Sequence, residues 1–417
     1  MQNQQQFSDD KAVQVFPFSR QESHGEVIIG RQDTGTYLAL PLEAVEILDD
    51  LSTGKTIGQT RHLYQQRHGE NPDLEDFLDS LAQQGFLVPA GSEKTSEHQI
   101  EPNANYHFES IPQSTASILF GIPALTFYAL LTLTALALAF REPSIVPGYR
   151  ALIFDQYITI KLVAIIVSSL FTVFIHEMGH LIAAKAVGVN SRLGIGNRMW
   201  VIVAETDLTG LWAVPRHKRF LPMLAGPIID LVSASLLLFI FYAEHSEWLT
   251  LPTLASEMLR ALFIVYVLQI LWQLLFFLRT DLYYVFTTAL DCKDLMNDTT
   301  NYLKNLAAQL FPPLRKMNWW RTSDQSHIPK RELQVIKFYA GFWLLSRIMA
   351  LGFLIFISIP LFIEYLGVVT SNLRQGPKED IITFLDAALI SALSATLFLA
   401  GMIAWIRSLL TKRSHIG

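Results

Sequence analysis

The stretch at residues 171–189 reads FTVFIHEMGHLIAAKAVGV and lies within a run that is almost wholly apolar from residue 158 to residue 189. His176 and His180 are four residues apart, so on a helix of 3.6 residues per turn their side chains point within about 40° of each other. Both imidazoles can therefore bind one metal ion. Glu177 lies about 100° round the same turn, beside the metal, where a carboxylate can take a proton from water. The HExxH pattern is thus typical of a zinc site that hydrolyses peptide bonds.

The apolar surroundings of this motif indicate a membrane protein. An unpaired ionisable group at bilayer depth costs about 2.5 to 3.5 kcal/mol or more, so three on one turn need an ion to satisfy them. The chain has 417 residues, 51% hydrophobic and 17% charged, which is too apolar for an ordinary soluble protein. The alternative is a chance HExxH on the core helix of a soluble protein, or a site that has lost its metal.

Hydropathy predicts a mainly α fold, a polytopic α-helical membrane protein with about six transmembrane helices in residues 114–417. The six predicted spans are 117–140, 158–187, 220–243, 259–289, 338–363 and 381–406. Lysine and arginine are abundant after the second and fourth spans and absent from residues 244–256. By the positive-inside rule we expect both termini in the cytoplasm. We expect the membrane to be the bacterial inner membrane.

A small winged-helix-like α+β domain is predicted at residues 24–90, between a Gln-rich stretch at 1–23, expected to be disordered, and a polar linker at 91–113. Two apolar runs flank a turn and predict a β-hairpin. Three short amphipathic helices follow, ending at Gly54, Gly69 and Gly85, and Asn71-Pro72 favours the start of the third.

Two further segments carry interpretable patterns. Residues 193–214 are β-rich and punctuated by glycine, which predicts a hairpin near the active site whose exposed edge could hold an extended substrate. In it we interpret Glu205 and Asp207 as solvated turn residues. Residues 291–335, with Trp319 and Trp320 among basic residues, are too polar to span a membrane and favour an interfacial amphipathic piece.

A catalytic zinc site uses three protein ligands plus water, so a third ligand must come from another span. Asp281 lies toward the end of the fourth predicted span and Asp230 lies in the third, both toward the predicted cytoplasmic face. A carboxylate in an apolar run needs a partner, so both aspartates are candidates.

The sequence resembles the site-2 proteases, intramembrane zinc metalloproteases, through HEMGHLIAAKAVGV and ETDLTGLWAVPRHKRFLPMLAGPIIDLV. The resemblance implies Zn²⁺ held by His176, His180 and Asp281, with Glu177 catalytic. The family often has Asp-Gly, with Asn-Pro upstream, whereas here Leu282 follows Asp281 and no Asn-Pro precedes it. Gln273 is a possible substrate contact in place of the missing asparagine, or a bond to a neighbouring helix.

The N-terminal domain resembles the PqqD-like domains that recognise ribosomally made peptides, and the chain is most similar to peptide zinc metalloproteases that carry one. The resemblance implies a zinc endopeptidase that matures a ribosomally made precursor or cleaves a membrane peptide. One alternative is a non-proteolytic, peptide-binding export or assembly partner with a structural metal. Another is a membrane-tethered DNA-binding regulator, but no basic recognition helix is present and an acidic run on the first helix would repel phosphate. The expected partners are therefore a peptide or membrane-protein substrate and the lipid bilayer, without nucleic acid.

Overall fold

The computed structural model describes residues 7–23, 26–31, 34, 36–89, 111–198, 201–292, 294–313, 323–325, 328–378 and 380–413. Helix dominates this part of the chain, and a small region of antiparallel sheet lies toward the N-terminus. The chain forms two compact units. The first comprises Met1–Thr126, His176–Gly226 and Asp281–Ile336, and the second Phe127–Ile175, Pro227–Thr280 and Lys337–Gly417.

Short strands and three helices build the N-terminal part of the first unit. The strands are β1 (Val13–Val15), β2 (Ser19–Ser23), β3 (Glu26–Arg31), β4 (Thr36–Pro41) and, after the helices, β5 (Leu87–Pro89). The helices are α1 (Leu42–Ser52), α2 (Ile57–His68) and α3 (Leu74–Gln83). Strands β2, β3 and β4 form an antiparallel sheet in that order, and β1 pairs with β5. The predicted hairpin and three helices are confirmed.

This part has its own apolar core. Ile29, Leu48, Ile57, Leu78 and Phe86 are at most 1% exposed and belong to one cluster, to which the sheet and all three helices contribute. Burying side chains of this size contributes about 1.5 to 3 kcal/mol each. The core therefore holds sheet and helices together.

Local sequence signals explain where α2 begins and ends. The Thr56 hydroxyl accepts the Gln59 N–H, and the Gln59 side chain accepts the Thr56 N–H, which forms a capping box. Gly69 ends the helix with φ of 75°, a left-handed conformation that glycine adopts without steric cost. The next helix differs from its prediction: α3 begins at Leu74, because the Leu74 N–H donates to the Pro72 carbonyl in a tight turn.

The predicted disorder at residues 1–23 is wrong for the described residues from 7 onward. Strands β1 and β2 lie there, and Phe7 is buried against the core. The alternation in Val13-Gln14-Val15 is a short strand signal that the neighbouring glutamines obscured.

The remaining elements are mostly apolar helices. In chain order they are α4 (Gln113–Leu119), α5 (Ile122–Arg141), α6 (Ile158–Ala186), β6 (Arg192–Arg198), β7 (Val201–Asp207), α7 (Arg216–His245), α8 (Thr253–Trp272), α9 (Asp281–Leu290), α10 (Leu295–Leu310), α11 (Lys330–Phe353), α12 (Ile359–Gln375) and α13 (Ile381–Arg413).

Five helical segments among the described residues are long and apolar enough to cross a membrane, where the sequence predicted six spans. They are Gln113–Arg141, Ile158–Ala186, Arg216–His245, Thr253–Trp272 and Lys330–Gln375. The sixth prediction falls on α13, whose apolar stretch Ile381–Thr396 is shorter than a span in the described residues.

The fourth predicted span, 259–289, is wrong as a single helix. Helix α8 ends at Trp272, a short 3₁₀ turn follows at Phe276–Leu278, and Arg279 has φ of 53°. A left-handed residue cannot continue a right-handed helix. Helix α9 then starts at Asp281. The break was hidden because apolar residues continue on both sides of Arg279, Thr280 and Asp281.

The predicted hairpin within residues 193–214 is confirmed. Strands β6 and β7 pair antiparallel, with Leu193 opposite Thr206. A 3₁₀ turn at Thr209–Ala213 follows and contacts strands β2, β3 and β4 of the N-terminal sheet. Hairpin, turn and N-terminal sheet are thus parts of the same unit.

Two predictions are tested only in part. Helix α10 occupies part of the predicted interfacial segment and buries Leu295, Met296 and Ala308, whereas Trp319 and Trp320 lie outside the described residues. The predicted linker also lies outside them as far as residue 110.

Candidate metal centre

Helix α6 brings the two motif histidines together. His176 and His180 are 5% and 2% exposed, and their Nε2 atoms lie 3.1 Å apart. This is the arrangement expected for histidines four residues apart on a helix. The pair is therefore ready to bind one ion through two nitrogens.

Asp281 joins the pair from the first residue of α9. Its Oδ2 lies 3.1 Å from Nε2 of His176 and 3.3 Å from Nε2 of His180. Burial raises the pKa of Asp281, but the neighbouring His180 and His176 outweigh it and lower the pKa below its ordinary value. A carboxylate must be ionised to act as a metal ligand, and this direction of the shift favours the ionised form. These three residues form a group that could hold a metal ion.

The start of α7 orients His180. Its Nδ1 lies 2.6 Å from the carbonyl oxygen of Pro222. Because a carbonyl only accepts, Nδ1 carries the proton, and Nε2 keeps its lone pair for a metal.

Gly226, on the same helix, leaves space beside both histidines. A Cβ at this position would collide with Nε2 of His176 and with Nε2 of His180. A glycine here keeps open the position where an ion shared by the two nitrogens would lie.

The geometry fits a tetrahedral ion. Metal–ligand bonds of about 2.0 to 2.1 Å give ligand–ligand edges of about 3.3 Å in a tetrahedron. The three separations in this group, 3.1, 3.1 and 3.3 Å, are close to that edge length. Two imidazoles and a carboxylate are also a donor set that zinc accepts.

Glu177 contacts the hairpin. Its Oε2 accepts the backbone N–H of Thr206 at 2.7 Å and the Thr206 hydroxyl at 2.8 Å. The catalytic residue expected from the motif is therefore held by a residue that the sequence did not single out.

A cavity of about 250 Å³ opens beside these groups. Its walls include Glu177, His180, Asp281, the β7 residues Glu205, Thr206 and Asp207, and the apolar side chains Leu208, Trp212, Met223 and Tyr284. The cavity thus has polar groups next to the candidate metal centre and an apolar wall.

The two hairpin carboxylates in the cavity wall are not members of the metal group in the described residues. Burial raises the pKa of Asp207, but bonds from Thr209 and Arg192 outweigh it and lower the pKa below its ordinary value. Asp207 thus stabilises its own turn, which agrees with its predicted role, although it lines the cavity.

The remaining site candidates belong to the second unit. Gln273 caps the C-terminus of α8 and is 6% exposed, and its predicted contact with substrate stays a prediction. Asp230 is fully buried in α7. Both aspartates were candidates for the third metal ligand, and among the described residues Asp281 is the one that lies with the two histidines.

Sequence reasoning missed Pro222, Gly226 and Thr206. The first two lie in the stretch LPMLAGP within α7, and the sequence alone does not show which residues this stretch contacts. Thr206 is one of several polar residues in β7. Only the register of that strand in the structure determines that Thr206 is the residue facing Glu177.

Comparison with known proteins adds nothing to this description: no protein-family model, curated protein or solved structure matches the chain.

Proposed function

We propose that the chain is a membrane-embedded zinc endopeptidase of the site-2 protease type. The observation that carries the proposal is the placement of Glu177 beside the group formed by His176, His180 and Asp281, in one cavity. A structural metal site needs no carboxylate base in an adjoining cavity, whereas hydrolysis does.

Zinc is the proposed ion because of the donor set and the tetrahedral spacing. When bound, zinc would activate water for attack and polarise the scissile carbonyl. Glu177 accepts the proton of the attacking water at a carboxylate oxygen and returns it to the leaving amine. The apolar wall around Trp212 and Tyr284 is proposed to hold a side chain of the substrate.

Membrane insertion is supported by the surface of the apolar helices. Ile122, Phe140 and Phe356 are 81%, 90% and 75% exposed. Exposed apolar residues of this size favour a hydrocarbon environment over water. The membrane proposed is a bacterial inner membrane, with the N-terminal domain in the cytoplasm.

The N-terminal domain is proposed to bind the substrate as an extended peptide. Strand β2 is an edge of its sheet, and a groove of about 390 Å³ runs between β2 and α1. The groove is lined by the apolar residues Val27, Leu42 and Val45 and by charged residues that include Glu22 and Asp49. An edge strand can add a peptide strand through main-chain hydrogen bonds. The substrate proposed is a ribosomally made precursor or a membrane peptide.

The outer edge of β7, on the side away from β6, is proposed to hold the substrate beside Glu177, which occupies the Thr206 N–H of that edge. Because the Thr206 N–H donates to Glu177, that edge of β7 points into the cavity, away from β6. A peptide that pairs there would pass the metal group. A helical substrate would first have to unwind, since its carbonyls are bonded within the helix.

The test is the substitution Glu177→Gln in the full chain. Only the proton acceptor is removed, so the variant should keep its zinc and fold while proteolysis falls by at least about 10²-fold. Peptides that accumulate uncleaved in cells expressing the variant, compared with cells expressing the parent, identify the substrate by mass spectrometry.

Glu75→Gln is the matched control, because Glu75 is an exposed carboxylate on α3. Near-parental cleavage by the Glu177→Gln variant would show that the mechanism is wrong. Identical peptide profiles for all three chains would favour the non-proteolytic alternative.

A further inference from the structure

Strand β7 passes directly over the Glu177 carboxylate. Thr206 donates to Oε2 twice, from its backbone N–H at 2.7 Å and from its hydroxyl at 2.8 Å. The hydroxyl also lies 3.0 Å from the Glu177 carbonyl oxygen. One residue of the hairpin thus contacts both the side chain and the backbone of Glu177.

Both donors reach the same carboxylate oxygen. A glutamate side chain has several rotatable bonds, and fixing it costs rotamer entropy. Hydrogen bonds to an ionised acceptor are short and about twice as strong as neutral ones. Two of them on Oε2 hold the carboxylate in one orientation, while the other oxygen, Oε1, takes no part in these bonds.

We propose that Thr206 is the positioning residue for Glu177: it fixes Oε2 so that Oε1 is the oxygen that accepts and returns the proton. This inference rests on the proposed peptidase function. Thr206 acts through Glu177 and makes no bond to the substrate in this role. The hairpin therefore contributes to the orientation of the base as well as to the cavity wall.

The hydroxyl can be removed without changing the shape of the residue. Thr206→Val keeps the β-branched side chain that favours a strand and removes the donor. Thr206→Ser keeps the donor and removes only a methyl group. The backbone N–H remains in both variants, so each tests the hydroxyl alone.

The experiment measures hydrolysis of fluorescein-labelled casein by the purified, zinc-loaded full chain. Misplacing a catalytic group costs up to about 10²-fold in rate, so Thr206→Val should lower kcat between about 10- and 100-fold with KM unchanged. Thr206→Ser should restore most of the rate. In a Glu177→Gln background, Thr206→Val should have no further effect. Thr134→Val is the control, because the Thr134 hydroxyl bonds only its own helix, at the Leu130 carbonyl.

A second readout does not depend on activity. The Thr206 amide is protected from hydrogen exchange by its bond to Glu177, so Glu177→Ala should speed exchange at this amide, and Glu75→Ala should not. Unchanged exchange would overturn the contact on which the inference stands.

The kinetic outcomes separate the two proposals. A parent chain that hydrolyses neither casein nor the peptides that accumulate with Glu177→Gln overturns the proposed function and this inference with it. If the parent hydrolyses casein and Thr206→Val has the parental kcat, this inference alone is overturned.

Discussion

At the scale of single residues, the metal centre depends on a glycine as much as on its ligands. Gly226 faces the Nε2 atoms of His176 and His180, and the Pro222 carbonyl one turn earlier orients His180. Groups that orient the ligands typically change metal affinity by about 10- to 100-fold when lost. Helix α7 therefore controls the site without supplying a ligand in the described group.

Gly226→Ala is expected to weaken zinc binding by at least about 10-fold. The added methyl group would collide with both imidazoles, and the rings or the helix backbone must shift. Zinc affinity is measured by competition with a chromogenic chelator. Gly341→Ala is the matched control, since a Cβ at that helical glycine meets open space. Parental affinity in the Gly226→Ala variant would mean that α7 does not approach the histidines as described.

The ligands of this centre were predictable to different degrees. The period of a helix alone determines how His176, Glu177 and His180 are arranged, so their arrangement could be predicted from their spacing in the sequence. Asp281 was one of two candidates and was favoured by resemblance. Contacts of Gly226 and Thr206 with the motif could not be predicted, because packing between distant elements decides them.

At the scale of elements, the turn at Thr209–Ala213 connects the N-terminal sheet with the cavity. A Cβ at Gly210 would lie 2.7 Å from Val189 Cγ1 and 2.8 Å from the Tyr37 hydroxyl oxygen. Thr209 and Trp212, in the same turn, line the cavity. Arg219 supports the turn from α7 by donating to the carbonyls of Trp212 and Val214. Movement of the sheet would thus reach the cavity wall.

Gly210→Ala is expected to displace this turn and to destabilise its packing on strand β4. Overpacking of this kind costs about 1 to 3 kcal/mol. Hydrogen exchange should increase in the peptides that cover β4 and residues 209–213, while α2 stays protected. Gly148→Ala serves as the control, because a Cβ at Gly148 meets open space. Unchanged exchange in both peptides would contradict close packing at Gly210.

The boundaries of helices and strands were predictable only where a local sequence signal marks them. The hairpin and the capped helix α2 follow local signals and were predicted. The break between α8 and α9 was not, because Arg279 adopts its left-handed conformation within an apolar stretch that reads as one span. That break makes Asp281 the first residue of a helix instead of a residue inside one.

At the scale of the whole molecule, the orientation in the membrane stays a prediction from the distribution of lysine and arginine. In the second unit, three basic side chains at the span ends predicted to face away from the cytoplasm pair with carboxylates. The pairs are Arg150–Glu364 at 3.2 Å, Lys161–Glu257 at 2.6 Å and Arg260–Glu244 at 2.7 Å. These pairs do not alter the orientation, because the positive-inside rule counts lysine and arginine and not net charge. The orientation rests on the larger number of these residues in the loops that follow the second and fourth predicted spans.

This orientation predicts which side of the membrane each exposed loop occupies, and the single cysteine makes the test direct. In a Cys292→Ser background, Thr250→Cys in the loop after α7 should react with a membrane-impermeant maleimide in intact bacterial spheroplasts. Ser80→Cys on α3 should react only after lysis, because the N-terminal domain is predicted to be cytoplasmic. Both positions are exposed, so accessibility differs only through the membrane.

The Cys292→Ser chain without a new cysteine controls for background labelling, which is read by gel shift or mass spectrometry. The two positions must respond oppositely, since three candidate spans, which include α5, α6 and α7, lie between Ser80 and Thr250. Labelling of both positions in intact spheroplasts would mean that these three segments do not all cross the membrane. Labelling of Ser80→Cys alone would mean that the topology is inverted and that the candidate metal centre lies toward the opposite face.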